Sequence, residues 1–171
     1  MIAGLDTQAL IWAMPWWSIR PKQNQDVEEM SRRARILVRT LASEKAKTIV
    51  PTVVVSEFLA GISEGKHGEV LSALSSKFFC ASFDIRAADL AARLAMKTRG
   101  LPKAEQGERQ ILRADILIVA TAKIAGAAVF YSNDARCRKL AGLAEMKALD
   151  LPTHSENLFE NNPASSELDD G

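Results

Sequence analysis

Cysteine and histidine are scarce in this chain of 171 residues, which holds two of each. Cys80 and Cys137 stand in apolar segments, a setting that favours buried thiols in a reducing compartment over a disulfide framework or a zinc site. His67 lies in a polar turn and His154 near the C-terminal end, and neither is a better candidate for a metal ligand. We therefore expect no structural zinc and no disulfide.

Long hydrophobic runs are missing as well. No uninterrupted apolar run reaches the length of about 20 residues that a membrane helix needs, and no basic N-terminal segment is followed by the apolar stretch of a signal peptide. We expect a cytoplasmic protein that does not enter a membrane. Its length and its 47% of hydrophobic residues suit a single globular domain with a proper core.

Net charge of either sign is nearly absent, because the formal total is only +1. The distribution is uneven: residues 153–171 hold five acidic residues and no Lys or Arg, which leaves 22 basic and 16 acidic residues in the rest of the chain. The densest basic stretch is "SRRARILVRTLASEKAK" at 31–47. It suits binding of a phosphate backbone, and it suits an ordinary solvated helix face equally well.

Apolar patterning in the first half of the chain predicts strands that alternate with helices. "MIAGLDT" reads as a strand that ends at Asp6, and "TQALIWAM" as a helix that Pro15 stops. A helix follows over about 25–46. "TIVPTVVV" predicts a β-branched strand that passes into a helix at Ser56, and we expect a further helix over 65–76.

The second half continues the alternation. "KFFCASFD" predicts a strand, and "IRAADLAARLAMKTRG" a helix that ends at Gly100. The polar stretch "LPKAEQGERQ" predicts an exposed loop, "ADILIVATAKIAG" a buried helix, "AAVFYSND" a strand, "ARCRKLAGL" a helix and "MKALDL" a last strand. Such alternation is typical of a parallel sheet with helices on both faces, in one domain over 1–152. The composition of 153–171 predicts a disordered acidic tail.

Four acidic residues occupy equivalent junctions in this predicted architecture. Asp6 and Asp134 end strands, whereas Glu57 and Asp115 are predicted to begin helices. Ligands of an open parallel sheet bind beyond the carboxyl ends of its strands, so we expect the four carboxylates to meet at one edge. A formal charge of about −4 would repel itself there unless cations lie between the carboxylates. Hard oxygen donors at this density favour Mg²⁺ or Mn²⁺.

Each acid also has a plainer interpretation. Glu57 and Asp115 could be first-turn acids that the helix dipole favours, and Asp6 and Asp134 could be helix caps. Taken singly, the caps are the commoner case; taken together, four acids at junctions on one edge favour the shared site.

The motifs around these acids resemble those of a known family. "LDTQALIW", "VSEFLAGI", "RADILIVATA" and "YSNDARCRKLA" follow one another as the motifs of PIN-domain ribonucleases do, particularly the toxins of VapBC-type toxin–antitoxin pairs. The resemblance covers residues 1 to about 152. It implies a three-layer α/β/α domain with a central sheet of about five parallel strands, and metal-dependent endonuclease cleavage of RNA in the cytoplasm.

The resemblance also implies roles for particular residues. The four acids match the family's acidic set as catalytic residues and as ligands of Mg²⁺ (or Mn²⁺). Ser132 matches a catalytic hydroxyl residue two places before the last acid, where the family often has Thr, and Cys137 stands where it often has an aromatic residue. Thr7 matches the residue after the first acid and is a candidate for substrate binding, as is Arg113. Apart from the resemblance, Arg113 stands two residues before Asp115 and could contact a substrate phosphate, neutralise the pocket or be an ordinary surface residue.

Partners follow from the same resemblance. It implies an RNA substrate, a cognate antitoxin and a homodimer. Trp16 and Trp17 could stack on RNA bases, anchor a protein interface or pack locally. Two other functions stay open: a receiver-like domain in which clustered acids bind Mg²⁺, and a PIN-like domain without catalytic activity that binds RNA or protein.

Overall fold

The centre of the molecule is a five-stranded parallel sheet. A computed structural model describes residues 1–14, 25–98 and 106–153, and the strands within them are β1 (Ile2–Leu5), β2 (Lys47–Pro51), β3 (Phe79–Ala81), β4 (Val129–Tyr131) and β5 (Lys147–Leu149). Their spatial order is β3-β2-β1-β4-β5, and every neighbouring pair is parallel. The predicted sheet of about five parallel strands is confirmed.

Helices flank the sheet in a three-layer α/β/α arrangement, which confirms the predicted fold class. A short 3₁₀ turn at Glu64–Lys66 precedes the fourth helix. The helices in the described part of the chain are α1 (Thr7–Ala13), α2 (Gln25–Ser43), α3 (Thr52–Ala60), α4 (His67–Lys77), α5 (Ile85–Thr98), α6 (Gln106–Ile124) and α7 (Ala135–Leu143).

The core lies where helices cover both faces of the central strands. Strand β4 is buried along its whole length, and so is β1 after its first residue, because strands in such a sheet have no solvated face. Gly4 allows the closest approach: a Cβ there would lie 2.9 Å from the Phe130 ring and 3.0 Å from the Cβ of Ala122. Glycine therefore lets β1 lie against β4 and α6.

Two predicted helix starts are wrong. Helix α3 begins at Thr52 rather than Ser56, directly after Pro51, so the valine run lies inside the helix. Val54 and Val55 are buried there, and this packing overrides their preference for strands. Helix α6 begins at Gln106, so the end of the predicted loop "LPKAEQGERQ" is helical.

The strand order fixes the edge at which a site can form. From β1 the chain moves to β2 and β3 on one side, and it then returns to β4 and β5 on the other. The carboxyl ends of β1 and β4 are therefore a topological switch point, where open α/β sheets bind their ligands. The backbone N–H of Asp6 contacts the carbonyl of Tyr131 across this point at 3.4 Å.

The segment after β5 is held against α2. The Arg33 guanidinium donates to the carbonyls of Leu151 and Pro152 and lies 3.4 Å from an Asp150 carboxylate oxygen. The predicted tail begins at 153, and its residues 154–171 lie outside the described residues. Nowhere in the described ranges is there a helix long and apolar enough to cross a membrane.

Candidate functional site

Asp6 is the most deeply buried acid at the switch point, with 4% of its surface exposed. It caps α1, because one of its carboxylate oxygens accepts the backbone N–H of Ala9 at 2.7 Å. The other oxygen accepts the hydroxyl of Ser132. Burial raises the pKa of Asp6, these hydrogen bonds lower it, and the nearby charges of Asp115 and Asp134 raise it; together they move the pKa from 3.8 to about 6.

Asp134 and Ser132 lie on the loop between β4 and α7. Asp134 caps α7 through its Oδ1, which accepts the backbone N–H of Arg136 at 2.7 Å and that of Cys137 at 3.4 Å. The fully buried Ser132 hydroxyl donates to Asp6 and accepts the backbone N–H of Asp134 at 3.0 Å. Ser132 therefore joins the two acids that follow β1 and β4.

Glu57 reaches the same edge from α3. It is the sixth residue of that helix, so the expectation that it lies in the first turn is wrong. Its carboxylate accepts the hydroxyl of Thr7, the residue directly after Asp6. Thr7 thus links α1 to α3, whereas the Glu57 side chain is exposed to solvent.

Asp115 is contributed by α6 and is largely buried, with 14% of its side chain exposed. It is the tenth residue of that helix, so the predicted helix start at this position is wrong, and with it the interpretation of Asp115 as a first-turn acid. Burial raises the pKa of Asp115, although contact with Arg136 acts in the opposite direction. Asp134 and Glu57 both raise it by repulsion between like charges.

The sequence patterns do not single out Arg136, which joins two of the acids. Its Nε lies 2.9 Å from Asp115 Oδ2 and its Nη2 lies 3.2 Å from Asp134 Oδ2. A signal was present in the sequence: Arg136 falls in the first turn of α7, where the helix dipole disfavours a cation. A basic residue at such a position is stabilised by carboxylates close by.

The edge carries an excess of negative charge. The pKa of Asp6 is raised by the charges of Asp115 and Asp134, and that of Asp115 by Asp134 and Glu57, so each of the four acids lies within electrostatic range of another. Among the described residues, only Arg136 forms ion pairs with any of them. The donors are carboxylate and hydroxyl oxygens, which suit a hard divalent cation. Within the described residues, however, no three His, Cys, Asp or Glu side chains are arranged as a metal site, and the acids are instead hydrogen-bonded to the protein.

The remaining predicted residues lie away from this cluster or outside the described part. Arg113 is exposed on α6, and no described contact joins it to the four acids. His67 is hydrogen-bonded to the carbonyls of Leu59 and Ile62 at the start of α4, which is a structural role. Gly100, Pro15, His154, Trp16 and Trp17 lie outside the described residues.

Cys137 lies beside the acids but is unsuited to nucleophilic chemistry. Its side chain is buried, and burial raises the pKa of its thiol well above the ordinary value, an effect to which the charges of Asp6 and Asp115 add. A thiol in these surroundings stays protonated at neutral pH, and only the thiolate is a strong nucleophile. Cys137 is therefore a packing residue of α7.

Solved structures with a similar fold are toxin–antitoxin proteins. The chain is similar to VapBC-1 from nontypeable Haemophilus influenzae (TM-score 0.59, 14% identity, 88% of this chain and 98% of that chain). It is also similar to DNA-bound VapBC from Salmonella typhimurium (TM-score 0.55, 15% identity, 89% of this chain and 99% of that chain). A third similar structure is VapBC2 from Rickettsia felis bound to a promoter DNA fragment (TM-score 0.56, 14% identity, 89% of this chain and 100% of that chain). At these identities the similarity concerns the fold alone.

A family model gives the identification. No curated protein shows significant sequence similarity to the chain, but the model of the PIN domain matches residues 5–143. The match includes all four acids and Ser132 and spans more than half of the chain. The chain belongs to the PIN domain family.

Proposed function

We propose that this protein is a metal-dependent endoribonuclease and acts as the toxin of a toxin–antitoxin pair. One observation supports the proposal: four acids from four different elements each lie within electrostatic range of another near the switch point of the sheet, and burial raises the pKa of two of them, Asp6 and Asp115. A merely structural set of acids would be paired with bases, since buried or crowded carboxylates are costly. Among the described residues, one guanidinium, that of Arg136, forms ion pairs with these acids, and it reaches only Asp115 and Asp134.

The acids fit a divalent cation by their chemistry. Asp6, Asp115, Asp134 and Glu57 would hold Mg²⁺ or Mn²⁺ through oxygen ligands, with water completing the shell. When bound, such an ion lowers the pKa of a water molecule and polarises the scissile phosphate.

The remaining work falls to side chains that fix the acids. Ser132 orients Asp6 by donating a hydrogen bond to its carboxylate. The same hydroxyl accepts the backbone N–H of Asp134 and so fixes the positions of the two acids relative to each other. Thr7 orients Glu57 in the same way. These contacts reduce the reorganisation that a charged transition state would otherwise require. Thr7 and Arg113 remain candidates for contact with the RNA.

The toxin assignment is supported by the similarity of the fold to VapBC proteins. We expect an antitoxin to be the physiological partner, and its binding to abolish cleavage. A homodimer and a cytoplasmic location remain expectations from the family resemblance. Light scattering of the purified chain tests the first, and cell fractionation tests the second.

Of the alternatives, a receiver-like domain does not match the topology. Receivers share the strand order 2-1-3-4-5, whereas the order here is β3-β2-β1-β4-β5. A catalytically inactive PIN domain that binds RNA or protein has the same fold and is separated only by activity.

The test is cleavage of single-stranded and structured RNA by the purified protein in Mg²⁺, Mn²⁺ or EDTA. We expect cleavage with either metal and none in EDTA, and a loss of activity in Asp6→Asn. Cleavage that persists in EDTA would contradict metal dependence. Intact RNA under every condition, with folded protein, would favour the inactive alternative.

A further inference from the structure

Arg136 lies where a cation shared by Asp115 and Asp134 would lie. Its guanidinium contacts Asp115 at 2.9 Å and Asp134 at 3.2 Å, through two different nitrogens. It therefore bridges an acid from the middle of α6 and an acid from the loop after β4. Charge-assisted hydrogen bonds of this kind are the strong ones, so they compete with any other cation for the same oxygens.

The Arg136 side chain is partly open to solvent, whereas Asp134 is held by backbone hydrogen bonds. The arginine side chain is 37% exposed, so its guanidinium can be solvated if a competing cation displaces it. Asp134 stays in place without it, because its Oδ1 is held by the backbone of α7. Moving the arginine outwards also takes its charge away from the unfavourable end of the helix dipole.

We propose that Arg136 is a resident counter-cation, which a divalent metal ion displaces from Asp115 and Asp134 when it binds, and that Arg136 thereby sets the metal affinity of the site. The inference rests on the metal dependence proposed above. It gives the arginine a role in metal affinity, distinct from direct contact with the reacting phosphate.

The test is Mn²⁺ binding to the full chain without RNA. Binding is measured through the loss of the electron paramagnetic resonance signal of free Mn²⁺. Arg136→Gln removes the competing cation, and we expect roughly tenfold tighter binding, the change that corresponds to about 1.4 kcal/mol. Arg136→Lys keeps the charge and should lie closer to the wild type. Arg93→Gln is the matched control, because Arg93 also pairs with an aspartate, Asp89 at 2.7 Å, on the exposed face of α5.

The outcomes separate this inference from the proposed function. Tighter binding in Arg136→Gln alone supports the inference. Equal or weaker binding in that variant overturns it while leaving metal dependence intact, and weaker binding would mean that Arg136 positions the carboxylates instead. If the wild type and every variant bind no Mn²⁺, the proposed metal dependence fails and the inference fails with it. Urea unfolding of each variant shows whether Arg136→Gln folds; if it does not, Arg136→Ala, which also removes the guanidinium, replaces it in the comparison and is expected to bind Mn²⁺ more tightly in the same way.

Discussion

Replacing Asp6 by Asn should stabilise the metal-free protein at neutral pH, although it should abolish activity. Asp6 is buried beside other carboxylates, so its ionised form is disfavoured in the folded state. Asn has nearly the same shape, and its side-chain oxygen can still accept the Ala9 N–H that caps α1. The substitution therefore removes a buried charge and keeps the cap.

The magnitude follows from the pKa. The folded state keeps the Asp6 proton up to about pH 6, whereas the unfolded chain releases it near 3.8. The folded state thus binds more protons between these values, and the free energy of unfolding falls as pH rises through this window. The shift corresponds to about 3 kcal/mol, lost by pH 7. Asp6→Asn lacks this loss and should be more stable than the wild type by up to that amount.

The assay is urea unfolding in EDTA at several values between pH 4 and pH 8. Asp115 also has a raised pKa and titrates in both proteins, so the difference between variant and wild type reports the titration of Asp6 together with its coupling to Asp115. Asp84→Asn is a control of opposite sign, because hydrogen bonds from the Ala87 backbone and from Arg86 lower the pKa of Asp84. Loss of the Asp84 carboxylate should destabilise the protein at neutral pH.

Two results would contradict the prediction for Asp6→Asn. If Asp6→Asn is less stable than the wild type at pH 8, the carboxylate is stabilising and the electrostatic description of the site is incorrect. If the difference between the two proteins does not change between pH 4 and pH 7, Asp6 has an ordinary pKa in the folded state.

Two further substitutions, the second with a matched control, test the structure of the site and of the core beside it. Ser132→Ala removes the hydroxyl that joins Asp6 to the loop after β4; we expect slower cleavage and a stability loss of about 1–3 kcal/mol by urea unfolding, because the buried Asp6 carboxylate loses a donor and the half-buried Asp134 N–H loses its acceptor. Gly4→Ala brings a Cβ to 2.9 Å from the Phe130 ring and should cost about 1–3 kcal/mol in the same measurement. Gly142→Ala meets nothing within 4 Å and should be neutral or stabilising by up to about 1 kcal/mol; equal effects of the two glycine substitutions would contradict the packing described for β1.

Much of the fold could be predicted because the sequence marks it locally. Asp6 stands between a short apolar strand and a helix, and Asp134 stands between strand β4 and helix α7. In both cases the acid that follows the strand caps the next helix. Capping chemistry and apolar patterning act over a few residues, so they can be read from one sequence.

The errors arose where tertiary packing outweighs local preference. Val53 to Val55 favour a strand by their branching, yet Val54 and Val55 are buried in α3. The polar residues before Ile111 indicate a loop, yet α6 begins at Gln106 and places Asp115 in its middle. Both errors made Glu57 and Asp115 look like acids in the first turn of a helix.

The pairing of Arg136 with Asp115 could not be predicted from local patterns. The two residues are 21 positions apart and meet only because α6 and α7 pack together at the same edge. The short-range pairing with Asp134 was accessible in principle, since a cation in the first turn of a helix is unfavourable without an acid nearby.

The central claim is that the four carboxylates form one cation-dependent catalytic site, and a matched pair of variants tests it most directly. Asp115→Asn removes an acid of the site, and Asp89→Asn removes an exposed acid of α5 that also pairs with an arginine. The measurement is the rate of RNA cleavage in Mn²⁺ by each purified variant and the wild type. We predict a loss of roughly 100-fold or more for Asp115→Asn, since even outer contacts of metal ligands are worth 10- to 100-fold, and no change for Asp89→Asn. Cleavage by Asp115→Asn at the wild-type rate would contradict the account.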